Sequence, residues 1–65
     1  MSSSDPVDAL REALRFSPDN LPLRRHLAET LHQAGRLDEA EEEYRQAISL
    51  APKDVGLSLA LARLF

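Results

Sequence analysis

A chain of 65 residues, 43% hydrophobic and without cysteine, forms one small domain at most and buries only about 60% of its unfolded surface. The missing thiols exclude disulfides and thiolate metal sites, and a formal charge of −3 disfavours nucleic acid, whose phosphates call for a basic surface. The polar start MSSSDPVD lacks the basic and apolar regions of a signal peptide, and no apolar run nears the roughly 20 residues of a membrane span, so a soluble, cytoplasmic chain is expected.

Four helices are predicted in chain order, after a disordered lead-in at residues 1–4. The first is capped by Ser4 or Asp5, carries Pro6 at its first position and runs to about Phe16. Val7, Leu10, Ala13 and Leu14 form its apolar stripe. Ser17-Pro18-Asp19-Asn20 ends it, because the residue before a proline is pushed out of the α region. The second helix spans roughly Leu21–Ala34, with Leu23, Leu27, Ala28 and Leu31 on one side and Gly35 just past its end. The third begins near Asp38, where Asp38 and Glu41 have capping-box spacing. Its acidic first turns suit the helix dipole, and a Glu41–Arg45 pair is expected at i,i+4. Ala40, Tyr44, Ala47, Ile48 and Leu50 make its buried side, and Ala51-Pro52 stops it. The fourth helix runs from about Asp54 to the end. Loops this short force neighbouring helices to be antiparallel.

The chain also repeats itself. Residues 5–20 and 39–54 are two copies of one pattern 34 residues apart, with Arg11/Arg45, Ala13/Ala47 and Pro18/Pro52 identical. The offset continues downstream, where Leu23/Leu57, Leu27/Leu61 and Ala28/Ala62 coincide. A period of this length signals a stacked repeat. Counting from Leu21, Leu27, Ala28 and Leu31 fall on a first helix, Gly35 on the turn, Leu37, Ala40, Tyr44 and Ala47 on a second helix, and Pro52 at the close.

In those positions the chain resembles the tetratricopeptide repeat family, with Arg24 where that family usually carries tryptophan. The resemblance implies an all-α stack of antiparallel helix pairs, each an A helix followed by a B helix. Residues 5–17 are then a B helix, 21–54 a full repeat and 55–65 a following A helix, within one domain over 5–65. It also implies a peptide-binding groove along the A helices, at Arg25, His26, Glu29, His32, Gln33, Leu59 and Arg63, with Pro22 and Ala60 beside them. Spacing agrees on one point: His26, Glu29 and His32 recur every three residues, away from Leu27 and Leu31. The bland alternative is a solvated helix face. Glu29 occupies the place of the asparagine that grips a peptide carboxylate in some family members, which argues against an acidic-tail clamp.

His26, Glu29 and His32 invite a metal reading, but the next A helix offers only Arg63, so no metal is expected. With glycine only at 35 and 56, and no nucleophilic arrangement, neither catalysis nor a cofactor is expected. The last helix departs from the first copy: Arg25, His26 and Thr30 become Leu59, Ala60 and Leu64. It is apolar on nearly every side, whereas a terminal repeat helix needs a polar outer face. The expected function is a protein-interaction or assembly scaffold. Its partner is a protein or peptide, with a homodimer or downstream repeats of the same chain covering Leu57, Leu61, Leu64 and Phe65. The alternative is an N-terminal adaptor of a larger enzyme, such as an ATPase, whose catalytic domain lies beyond Phe65.

Overall fold

The computed structural model describes residues 5–64; residues 1–4, expected to be disordered, and Phe65, expected in the self-association face, lie outside them. Four α-helices follow one another: α1 (Pro6–Phe16), α2 (Leu21–Gln33), α3 (Leu37–Leu50) and α4 (Val55–Ala62). The described residues contain no strand. Each helix packs chiefly on its chain neighbours, α2 against α3 most extensively.

Local chemistry explains the boundaries. The Asp5 carboxylate accepts the Val7 N–H at 2.9 Å, and Pro6, which has no N–H to satisfy, opens α1. Asn20 caps α2 by accepting the Leu23 N–H, and Asp54 caps α4 by accepting the Leu57 N–H. These two caps are 34 residues apart, and the turns leading to them repeat as well. The Ser17 N–H donates to the Leu14 carbonyl and the Asn20 N–H to that of Ser17. Ala51, Ile48 and Asp54 reproduce the pattern one period later.

The α2–α3 turn is built differently. Gly35 has φ +79°, the left-handed conformation that glycine adopts without a Cβ penalty. The Arg36 N–H donates to the Leu31 carbonyl at 2.9 Å and the Gly35 N–H to that of His32 at 3.0 Å, which together form a Schellman motif. That turn leads straight into α3, which starts at Leu37 with Arg36 at the cap position and no side-chain cap. The expected Asp38–Glu41 capping box is therefore absent. Asp38 sits within the first turn, and Glu41 pairs with Arg45 at 2.7 Å.

The core joins all four helices through Val7, Leu14, Leu27, Ala28, Leu31, Ala40, Tyr44, Ala47, Leu57 and Leu64. Ala28, Ala40 and Ala47 have no exposed surface, so α2 and α3 approach closely because nothing larger than a methyl separates them there. Three expected packing positions lie outside the core, among them Leu37 in the first turn of α3, which is exposed. Ala13 is exposed although its repeat mate Ala47 is buried, since α1 packs only one side, against α2. Leu50 at the end of α3 is also exposed. Arg24, in place of an aromatic residue, donates to Glu43 on α3 at 2.8 Å and to the Pro18 carbonyl at 3.2 Å. Glu39 collects Arg11 of α1 and, through two hydrogen bonds, Arg36 of the turn, tying α1 to the start of α3.

Candidate functional site: the A-helix face and the apolar last helix

Five of the seven residues expected in the groove, Arg25, His26, Glu29, His32 and Gln33, lie on α2. His26, Glu29 and Gln33 are exposed and His32 is half-buried. The outward direction follows from the opposite face, where Leu27, Ala28 and Leu31 are locked into the core. Arg25 is only half available, because it donates to the Asp54 carboxylate at 3.1 Å. It thereby links α2 to the residue that caps α4. A Cβ on Gly56 would come within 3.6 Å of the Arg25 guanidinium, so this linkage runs close over the α4 backbone. Leu59 of α4 and Arg63, the residue that caps its C-terminus, are the other two residues expected in the groove, and both are exposed. Among the described residues, no hydrogen bond or ion pair joins Arg63 to the α2 stripe.

Below this face lies the Tyr44 ring, buried in the core. Burial, reinforced by the negative charge of Glu29, raises its phenol above the ordinary value, and Arg25 acts in the opposite sense. Of the α2 stripe, Glu29 and Arg25 are the charges that act on the Tyr44 phenol. No group of three or more His, Cys, Asp or Glu side chains converges among the described residues.

The self-association residues are placed differently from expectation. Leu57 is fully buried and Leu64 nearly so, both within the chain's own core, and Leu61 is partly buried against it. They hold α4 onto the stack and do not face outward. The apolar surface that α4 leaves open consists of Val55, 68% exposed, and Leu59, 53% exposed, with Ala62. Spacing explains the exchange: Leu57, Leu61 and Leu64 follow a helical i, i+4, i+7 stripe, and that stripe packs inward. Sequence reasoning placed Leu59 in the groove and assigned no role to Val55.

It also assigned none to α1, where Phe16 is 80% exposed and Ala13 lies open. The signal was present in the repeat itself, since Ala13 matches a buried alanine while no helix packs on its side of α1. A further open groove of about 560 Å³ lies between α1 and α2, over Leu14 and Leu27, with Glu43 of α3 at its edge. Arg11, Arg15 and Arg24 face Asp8, Glu12 and Glu43 in its lining, so it carries no net charge to favour one sign of ligand.

Among the described residues, no helix is long and apolar enough to cross a membrane. Comparisons with curated proteins and with solved structures return no significant match. The tetratricopeptide repeat pattern matches residues 7–64, in agreement with the antiparallel helix pairs and their small interface residues. The chain belongs to the tetratricopeptide repeat family, a family of typically non-catalytic protein-interaction scaffolds.

Proposed function

We propose that this chain is a non-enzymatic assembly module that self-associates through the open apolar side of α4. The α2 stripe Arg25, His26, Glu29, His32 and Gln33, with Arg63, then adds polar selectivity for a protein or peptide. The observation that carries this reading is the distribution of apolar side chains around α4. Leu57 is sealed in the core while Val55 and Leu59, on other sides of the same short helix, remain largely in water. Covering those two side chains is worth about 2 kcal/mol per copy, given about 1.5–3 kcal/mol for full burial of each from a fully exposed state. Micromolar association requires about 8 kcal/mol, so the α4 face acts with neighbouring surface and does not suffice alone.

Sedimentation equilibrium and light scattering over a concentration series test the reading. A concentration-dependent rise in mass is expected, abolished by Leu59→Glu. A clean monomer up to the millimolar range, with a cooperative melt, would sink it. Glu29→Lys separates the two surfaces. It should shift binding from basic towards acidic fluorescent peptides while leaving the oligomeric state unchanged, and a simultaneous change in both would defeat the two-surface reading.

A further inference from the structure

We infer that the occupant of the α4 face is the α1 face of a second copy, so that two chains complete a repeat between them, head to tail. This rests on the self-association reading above and identifies its partner surface. The template lies inside the chain. The α2–α3 pair is an A helix packed on a B helix, and α4 and α1 are the A and B helices of the same 34-residue register. In the intact pair, Ala28, Ala40 and Ala47 have no exposed surface and Tyr44 almost none. Their mates one period away are Ala62, Pro6, Ala13 and Leu10; the first three are exposed and Leu10 is only partly buried. The two incomplete helices therefore present the two halves of an interface already built once in the same molecule.

The polar positions fit the same register. The one mostly buried ion pair across the α2–α3 interface is Arg24–Glu43, and its mates are Ser58 and Ala9. Docking α1 of a second copy onto α4 strands no charge at that position. Arg25, which lies over Gly56 and pairs with Asp54, has Leu59 as its mate, while Gly56 and Asp54 have Pro22 and Asn20. Leu59 then meets Pro22 and the neutral Asn20 of the second copy, where an arginine had required a carboxylate. Between B helices, the 2.7 Å Arg11–Glu39 pair has Arg45 and Asp5 as mates, again a cation opposite an anion. An α4-on-α4 arrangement leaves Ala13 and Pro6 in water and uses none of this complementarity.

The interface is heterologous, so a pair of copies leaves one α1 face and one α4 face unused at its ends, and growth continues unless the rotation closes a ring. Two variants decide the matter, each at a residue exposed in the monomer so that folding is retained: Ala13→Arg on α1 and Ala62→Arg on α4. Circular dichroism checks that both remain helical. Each variant alone should be monomeric, with association weakened about 100-fold or more. Mixing them should restore binding through the two intact faces and stop at a 1:1 dimer, seen as a doubling of mass. If Ala13→Arg associates as strongly as the unmodified chain, or the mixture stays monomeric, head-to-tail pairing is overturned while α4-mediated association can stand. If the unmodified chain is itself monomeric at every concentration, the self-association reading falls first.

Discussion

The Arg24–Glu43 pair offers a sharp test of how this small stack is held together. The two side chains are 17% and 12% exposed and meet at 2.8 Å, and the Arg24 Nε is buried without a hydrogen-bond partner. An exposed ion pair contributes about 0–1 kcal/mol, whereas breaking a fully buried one by removing a partner costs about 3–5 kcal/mol. With a small fraction of each side chain still wet, Glu43→Ala should cost about 2 kcal/mol, because Arg24 keeps only the Pro18 carbonyl. That is a large share of the roughly 3–5 kcal/mol available to a core of this size. It corresponds to a fall in Tm of about 8–16 °C. Replacing both partners with leucine should behave in the opposite way. The double variant removes the stranded Nε along with both desolvated charges, and such replacements are commonly neutral or stabilising by about 1–4 kcal/mol. Urea and thermal melts followed by far-ultraviolet circular dichroism supply the double-mutant cycle. A change under about 0.5 kcal/mol for Glu43→Ala, or a double variant less stable than either single one, would refute the reasoning.

Gly35→Ala should cost about 1–2 kcal/mol, all of it from the positive φ, since nothing lies within 4 Å of the added Cβ; Gly35→Asn should recover part of the loss, and urea midpoints measure both. Asp54→Ala removes both the α4 cap and the Arg25 partner and should lose about 1 kcal/mol for the cap plus a smaller amount for the half-exposed pair. Asp54→Asn should lose only the latter, as read from hydrogen exchange in the first turn of α4. The Tyr44 phenol should titrate above the unfolded value of about 10. Because its folded pKa is raised, the associated stability is intact below the unfolded pKa and is lost as pH rises through the folded one. Absorbance titration should show the midpoint moving down in Glu29→Gln, and an unmoved midpoint would mean that Glu29 does not reach the ring.

Much of the fold was legible because its determinants are local. Asp5, Gly35 and the two proline turns act within four residues of themselves, and the 34-residue echo set the helix register. The α3 start differs for an equally local reason: Asp38 and Glu41 have suitable spacing, but the Gly35 turn starts the helix at Leu37, and Asp38 then lies inside the first turn and cannot cap it. The α2 stripe was readable because its inward side, Leu27, Ala28 and Leu31, is unambiguous.

Partner choice across the stack was not readable in the same way. The pairs Arg24–Glu43, Arg11–Glu39 and Arg25–Asp54 join residues 19, 28 and 29 positions apart, and no local pattern distinguishes them from other opposite charges. Nor does helical spacing reveal which side of a helix finds a neighbour. Ala13 and Ala47 share one register position, yet one is open and the other sealed. The sequence by itself determined the helices and the repeat, since these depend on short-range backbone hydrogen bonding and apolar periodicity. Only the tertiary structure decided that Leu57 and Leu64 complete the core while Val55 and Leu59 stay in water, because burial depends on which face of each helix another helix packs against.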